Sequence, residues 1–260
     1  MDLKNRIVVA LDGISAAAAA KLVTLLSPLV WGFKMNDLFL DPLGPALARI
    51  IVQSKAKLWL DLKLHDIPNT VKNQLNRLAD YMPSLVTVHA SGGIGMLTAA
   101  CEAARDARKS LHYTDVGEVP ELGILAVSVL TSLSAEECEK IYGSVPAEKV
   151  PMFATLARDA GVWGAVCSGH EARQVRDLGL RPVVPGIRPE WFLAEQNVSQ
   201  DDQKRVVTPC KALDFGAELL VIGRPIVKRE DPLVAVERTI SELEDNYGKR
   251  IPGHTYGPTD

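Results

Sequence analysis

The feature that most constrains the fold of this chain is a series of short apolar runs, each followed by an amphipathic segment. The runs are nearly continuous in apolar residues, which is typical of parallel strands buried on both faces. Eight runs can be delimited, at residues 6–12, 30–36, 58–63, 85–90, 123–130, 164–168, 182–186 and 219–223. The segments between and after them predict helices at residues 16–26, 45–53, 70–81, 95–108, 150–160, 171–178, 209–215 and 232–246.

Eight parallel strands separated by helices predict an α/β fold, a (β/α)₈ TIM barrel. A doubly wound open sheet is the alternative, but it would have a GxGxxG turn after its first strand, and Leu11-Asp12-Gly13-Ile14 offers none. We expect residues 1–248 to form one catalytic domain and residues 249–260 to be a poorly ordered tail. The long connection at 188–207 is a candidate lid or binding loop.

Composition narrows the possible partners. The net charge of −3 argues against general attraction to nucleic acid or to anionic membranes, so an anionic ligand would need a local cationic cluster. No segment resembles a signal peptide or a membrane span. The four cysteines lie far apart in the sequence and form no CxxC pair, which indicates reduced thiols. We therefore expect a cytoplasmic protein.

Polar residues accumulate where the predicted strands end, which is the face on which barrel enzymes place their active sites. In the third strand, Asp61 and Lys63 are two residues apart and are expected to point to the same side. A lysine near carboxylates keeps its positive charge, so Lys63 is predicted to be a cation or proton donor and not a Schiff-base nucleophile. A structural ion pair would explain any two of Asp61, Lys63 and Asp66. It is a weak explanation for all three together with Lys34.

The loops after the last two strands predict a phosphate site. They read PGIRP at 185–189 and IGRP at 222–225, and barrels often bind phosphate between these two loops. Glycine lets the backbone approach an anion closely, and arginine supplies paired donors. Gln203, in the long connection, could close over the phosphate, although alone it would be an ordinary surface residue.

Two further features have simpler interpretations. For His89, at the end of the fourth strand, we favour a structural hydrogen bond. The segment Ser91-Gly92-Gly93 could bind an anion, but we favour a tight turn into a helix.

These segments together resemble the orotidine 5′-phosphate decarboxylase family. The resemblance rests on DLKLHDIPNT at 61–70, VHASGG at 88–93, LTS at 130–132 and the two loops above, in family order over most of the chain. It implies decarboxylation of orotidine 5′-monophosphate to uridine 5′-monophosphate, with no metal and no organic cofactor. It also implies a homodimer in which Asp66 and Thr70 reach the neighbouring subunit's site.

The resemblance also implies roles for individual residues. Lys63 would protonate C6 of the pyrimidine, and Asp61 would lie beside the substrate carboxylate. The catalytic set is Lys34, Asp61, Lys63 and Asp66, and the substrate-binding set is Asp12, Lys34, Asp61, Ile67, Thr70, Thr131, Arg188, Gln203, Gly223 and Arg224.

Two other functions remain open at this stage. One is a metal-dependent phosphosugar decarboxylase or epimerase on the same barrel, although the scattered histidines suggest no ligand set. The other is a non-catalytic barrel that binds a phosphorylated ligand, which would have no use for the Asp61–Lys63 pair.

Overall fold

The structure, a computed structural model, describes residues 3–110, 121–195 and 206–248. Its centre is a closed parallel barrel in which each strand pairs with the next and β1 also pairs with β8. The strands are β1 (Ile7–Ala10), β2 (Gly32–Met35), β3 (Lys57–Leu64), β4 (Leu85–His89), β5 (Gly123–Val127), β6 (Gly164–Val166), β7 (Arg181–Val184) and β8 (Leu219–Ile222). The predicted fold class is confirmed, and every predicted run contains one of these strands in whole or in large part.

Helices connect the strands and cover the outside of the barrel. They are α1 (Ala16–Leu26), α2 (Gly44–Gln53), α3 (Pro68–Leu78), α4 (Gly93–Ser110), α5 (Ala135–Tyr142), α6 (Pro146–Asp159), α7 (Ala172–Asp177), α8 (Glu190–Glu195), α9 (Pro209–Asp214), α10 (Arg224–Val227) and α11 (Pro232–Leu243). Side chains fix several of the helix starts: Ser15 accepts from the N–H of Ala18, and Asp231 accepts from two backbone N–H groups of α11. Local sequence therefore determines where these helices begin.

The barrel interior is filled by side chains, so the site can lie only at one end. Alternate residues of the strands point inward and form a packed apolar plug: Val8, Ala10, Trp59, Leu85, Leu125, Val183, Leu219 and Val221. Close strand packing at the other end of β2 requires glycine, because a Cβ on Gly32 would lie 2.1 Å from the carbonyl oxygen of Lys57. Above the plug, at the C-terminal strand ends, the inward positions become polar.

Three helices fall outside the segments predicted to be helical: α5 lies between β5 and α6, and α8 and α10 are short. Helix α8 lies inside the long connection at 188–207, and α10 begins directly after β8. The segments 196–205 and 249–260, which include Gln203 and the predicted tail, lie outside the described residues. Within the described part of the chain, no helix is long and apolar enough to cross a membrane, and the four cysteines are buried thiols outside any disulfide.

Candidate active site

Four charged side chains at the C-terminal ends of β1, β2 and β3 form one alternating chain. The Lys34 Nζ donates to both Asp12 carboxylate oxygens, at 3.1 and 2.8 Å, and lies 2.9 Å from Asp61 Oδ2. The same Asp61 oxygen accepts from Lys63 Nζ at 2.8 Å. The order is therefore Asp12, Lys34, Asp61, Lys63, with each charge next to its opposite.

Among these four charged side chains, burial separates two central groups from two accessible end groups. The side chains of Lys34 and Asp61 are 9% and 8% exposed, whereas those of Lys63 and Asp12 are 32% and 46% exposed. Buried charges must be paired to be tolerated, and the two central groups are paired on both sides. The ends are free to contact a ligand in the cavity.

Opposing effects set the pKa values of the two buried groups. Burial favours the neutral form of Lys34, but the carboxylates of Asp61 and Asp12 outweigh it, and the pKa of Lys34 is raised above its ordinary value of 10.5. Burial likewise opposes ionisation of Asp61, but Lys34 and Lys63 outweigh it and lower the pKa of that carboxyl. Both groups are therefore charged at neutral pH.

Lys63 reaches this position through an irregularity in β3, and not through strand alternation. Leu60 pairs with Val86 and Leu64 pairs with Val88, so the regular register is lost between them. Lys63 itself has φ of 51°, in the left-handed region. The sequence argument placed Asp61 and Lys63 together, which the structure bears out, but its reason was wrong because Lys63 is not in extended conformation.

The charged chain lines one side of a cavity of about 530 Å³, and the predicted phosphate loops line the other. Arg188 and Arg224 both border this cavity, as do Gly186 and Gly223. Gly186 has φ of 73°, a conformation that favours glycine, and Arg188 is only 4% exposed. Short helix α10 starts at Arg224, as in the extra-helix phosphate sites of other barrels. Thr131, after β5, lines the same cavity.

Helix α8 makes polar contacts with α11 and with Arg229, next to the loop that contains Arg188. At its start, the Glu190 N–H donates to Glu242 Oε2 at 2.9 Å. At its end, Glu195 pairs with Arg229 and with Arg238, the latter at 2.7 Å. These contacts tie the segment that follows β7 to the one that follows β8, so both phosphate loops belong to one connected unit.

Three predicted residues do not line the cavity of their own chain. Asp66 and Ile67 are exposed, and Thr70 lies in the first turn of α3. The Asp66 carboxylate accepts from the neighbouring Ile67 N–H at 2.7 Å and forms no ion pair among the described residues. The geometry thus separates them from the site that Asp12, Lys34, Asp61 and Lys63 form.

The interpretation of His89 as a structural hydrogen-bonding residue was wrong. Within residues 3–110, 121–195 and 206–248 its imidazole makes no hydrogen bond; instead its ring centroid lies 5.4 Å from that of His65. Burial, followed by the nearby His65 and Lys63, lowers the pKa of His89, with Asp61 acting in the opposite direction. Burial and the neighbouring cation both disfavour an added proton on this imidazole. The turn expectation for 91–93 is met, since a 3₁₀ turn at Ala90–Gly92 leads into α4.

The sequence argument assigned no role to Asn36, although it lies among the polar strand ends, and it missed Thr87 and Lys228. The Asn36 Nδ2 donates to the backbone oxygen of Asp61 at 2.8 Å, and the Thr87 hydroxyl donates to Asp61 Oδ1 at 2.8 Å. Lys228 borders the cavity and donates from Nζ to the Gly13 oxygen at 2.6 Å, linking the loop after β8 to that after β1. Lys228 lies one helical turn after Arg224, a signal that could have been used had α10 been predicted.

No group of three or more His, Cys, Asp or Glu side chains in the described residues is placed to hold a metal ion. The site is therefore defined by its charges: a barrel enzyme site with a lysine–carboxylate chain on one side and an arginine-rich anion pocket on the other.

Comparison with known proteins assigns the chain to a family. Residues 5–239 match the model of the orotidine 5′-phosphate decarboxylase / HUMPS family, and the chain belongs to that family. The chain is 40% identical over 249 residues to orotidine 5′-phosphate decarboxylase from Moorella thermoacetica, covering 94% of each chain. The corresponding protein of Paramagnetospirillum magneticum is also 40% identical, over 243 residues, covering 92% of this chain and 98% of the relative.

Solved structures agree with this assignment. The crystal structure of orotidine 5′-phosphate decarboxylase from Lactobacillus acidophilus superposes with a TM-score of 0.73 at 31% identity, covering 92% of this chain and 98% of the other. The enzyme from Pyrococcus horikoshii OT3, at 21% identity and a TM-score of 0.69 over 92% and 99% of the two chains, shares the fold.

Proposed function

We propose that this protein decarboxylates orotidine 5′-monophosphate to uridine 5′-monophosphate and CO₂, the last step of de novo UMP synthesis, without a metal or an organic cofactor. The observation that carries the proposal is the cavity itself. It has the Asp12–Lys34–Asp61–Lys63 chain on one side and Arg188 with Arg224 on the other. A nucleotide with a carboxylated base and a 5′-phosphate has reactive and anionic ends that match these two sides.

The chemistry assigned to the charged chain is electrostatic. As the bond between C6 and the carboxyl carbon breaks, its electron pair stays on C6 and CO₂ leaves. Lys63 then gives a proton from Nζ to C6, and the resulting amine recovers a proton from solvent. A cation fixed about 4 Å from the developing charge is worth roughly 4 kcal/mol at an effective dielectric of 20. Lys63 therefore supplies part of the catalysis as a preorganised group.

The remaining catalysis comes from how the substrate is held. Asp61 would face the substrate carboxylate and disfavour the bound ground state, and Lys34 would keep Asp61 charged and in place. Binding energy from the phosphate, gained at Arg188, Gly223 and Arg224 and completed by Gln203, holds that unfavourable arrangement together. Asp12 would contact the ribose and Thr131 the pyrimidine.

We also propose that the active unit is a homodimer. Exposed apolar side chains occur in the loops after β2, β3 and β4: Leu40, Leu43, Ile67 and Ile94 are 81%, 59%, 67% and 48% exposed. Four of the nine exposed large apolar side chains in the described residues thus follow three neighbouring strands, and such a grouping marks an association surface. A second copy seated there would cover Ile67 and take up the neighbouring Asp66 and Thr70, which their own cavity does not use.

Incubation of purified protein with orotidine 5′-monophosphate tests the function. Loss of the substrate's ultraviolet absorbance, with uridine 5′-monophosphate and CO₂ formed in equal amounts, is expected before and after treatment with EDTA. Activity that returns only with added Mg²⁺ would favour the metal-dependent phosphosugar alternative. Tight binding of the nucleotide without turnover would favour the non-catalytic barrel.

Subunit mixing tests the shared site. Lys63→Ala and Asp66→Asn are each expected to be inactive, but a mixed dimer has one site with both defects and one with neither. Random exchange makes about half of the dimers mixed, so about a quarter of the sites become intact. The control is Lys63→Ala mixed with Asp61→Asn, whose mixed dimers hold one defect in each site and stay inactive. If both mixtures stay inactive after full exchange, Asp66 serves its own subunit.

The domain boundary and location also remain proposals. Residues 1–248 would form the catalytic domain, because the barrel and its last helix α11 are complete by Leu243, and a chain ending at 248 should keep the wild-type kcat. A cytoplasmic location is supported by the four thiols, which form no disulfide in the described residues, and cell fractionation would test it.

A further inference from the structure

The irregularity in β3 leaves part of the strand without its regular partners. Between the pairs Leu60–Val86 and Leu64–Val88, three residues of β3 lie opposite one residue of β4, Thr87. A bulge of this kind interrupts the ladder and re-aims side chains, and bulges are common beside active sites. In β3 the bulge contains Asp61 and Lys63, the two residues to which the proposed chemistry is assigned.

Two side chains replace the missing ladder bonds. On the β4 side, the backbone N–H of Lys63 donates to Thr87 Oγ1 at 3.2 Å. On the β2 side, the Asp61 carbonyl accepts from Asn36 Nδ2 at 2.8 Å. Buried backbone groups need such partners, so these two bonds stabilise a backbone that would otherwise be unfavourable.

The same hydroxyl also fixes the Asp61 carboxylate. Thr87 is fully buried, and its hydroxyl oxygen lies 2.8 Å from Asp61 Oδ1 and 3.4 Å from the Leu60 carbonyl oxygen. The carboxylate is therefore the better acceptor for the single hydroxyl proton. Asp61 uses its other oxygen, Oδ2, for both lysines. Oδ1 has no other hydrogen-bond donor among the described residues, so Thr87 fixes the second oxygen of a carboxylate whose first oxygen is held by the two lysines.

We propose that Thr87 is a positioning residue for the Asp61–Lys63 pair, because one buried hydroxyl holds the carboxylate of the first and the backbone of the second. The inference rests on the proposed decarboxylation for its kinetic consequence. It implies that Thr87 affects the chemical step, since the hydrogen bonds of its hydroxyl go to residues 60–63 of β3 and none among the described residues goes to the phosphate loops. A threonine buried for packing alone would have no such selectivity.

The kinetic test compares Thr87→Val, which keeps the shape and removes the hydroxyl, with Thr87→Ser, which keeps the hydroxyl. Misplacing a catalytic group by about 1 Å can cost about 100-fold, so Thr87→Val should lower kcat about 100-fold. Binding of uridine 5′-monophosphate should change less than threefold, and Thr87→Ser should restore kcat to within about fivefold of wild type. The control is Thr239→Val, because Thr239 is equally buried but donates to a helix carbonyl at 2.8 Å in α11.

A crystal structure of Thr87→Val gives a readout that does not depend on activity. It should show the Asp61 carboxylate rotated, or Lys63 no longer at positive φ, while Thr239→Val leaves both unchanged. If both groups keep their wild-type positions, the inference is overturned even if no substrate is turned over. Wild-type-like kcat in Thr87→Val, or equal losses in Thr87→Val and Thr87→Ser, would also overturn it. Failure of the wild type itself to decarboxylate would refute the proposed function and leave the crystallographic test to decide.

Discussion

Replacing Lys34 by methionine removes the central cation of the charged chain and keeps most of the side chain's volume. Lys34 is bonded to a buried carboxylate, Asp61, and to a half-exposed one, Asp12. The free energy of unfolding of this variant therefore shows whether the buried pair contributes to folding, separately from any role in chemistry.

The two pairs contribute unequally to the expected loss. Removing one partner of a buried ion pair costs about 3–5 kcal/mol, because the other charge stays buried. The Asp12 side chain is 46% exposed, and a pair with such a group adds only about 0–1 kcal/mol. Asp61 keeps Lys63 and Thr87, which places the total near the lower limit, at about 3 kcal/mol.

Urea unfolding at neutral pH measures this free energy. The matched control is Lys140→Met, which removes the same charge from an exposed pair with Glu136 whose side chains are 72% and 77% exposed. That change should cost less than about 0.5 kcal/mol. In an Asp61→Asn background, Lys34→Met should cost at least about 1.5 kcal/mol less than it does in wild type, since no buried carboxylate is left unpaired.

The pH dependence of stability gives an independent check. The folded-state pKa of Asp61 is lowered, so its contribution is present above the ordinary value of 3.8 and is lost as the pH falls through the folded-state pKa. The pKa of Lys34 is raised, so its contribution is present below 10.5 and is lost as the pH rises through the folded-state value. Lys34→Met should remove the alkaline loss and move the acid loss to higher pH. Equal effects of Lys34→Met and Lys140→Met would refute this reasoning.

Three further predictions concern other groups. Arg224→Ala should weaken binding of orotidine 5′-monophosphate by about 2–5 kcal/mol and leave binding of the nucleoside orotidine nearly unchanged, and equal losses for both ligands in calorimetry would contradict the phosphate assignment. Burial raises the pKa of Cys101 to about 11, so this thiol should resist iodoacetamide at pH 8 in the native state, and rapid native alkylation would contradict its burial. The lowered pKa of His89 should keep its imidazole neutral at pH 7, with stability falling as the pH drops below 6.5; an imidazole NMR titration midpoint above 6.5 would contradict this.

Much of the fold was predictable because its signal is repetitive. Parallel strands buried on both faces leave apolar runs of recognisable length, and each helix adds its own period and often a cap, as at Ser15, whose side chain accepts from the N–H of Ala18. Helices α8 and α10, of six and four residues, were missed because they directly follow the turns at Arg188 and Gly223, in segments that the sequence argument interpreted as loops. Their existence depends on contacts with α11 and the barrel.

The site was predictable in part. Asp61, Lys63, Lys34 and the two arginines could be found because charges at the ends of apolar strands require an explanation. Thr87 could not, since a threonine within a β-strand is an ordinary strand residue and only its tertiary neighbour makes it functional. The bulge at Lys63 was also hidden, because it arises from the pairing of β3 with β4 and the sequence alone still alternates.

The proposed chemistry requires that Lys63, held beside Asp61, protonates C6 as CO₂ leaves. Single-turnover decarboxylation of orotidine 5′-monophosphate with enzyme in excess tests this requirement by comparing wild type with Lys63→Ala at matched saturation. The wild type should form uridine 5′-monophosphate rapidly. The Lys63→Ala variant should bind the nucleotide and unfold at a similar urea concentration but form no measurable product. A folded Lys63→Ala protein that forms product at a rate near that of the wild type would contradict this requirement.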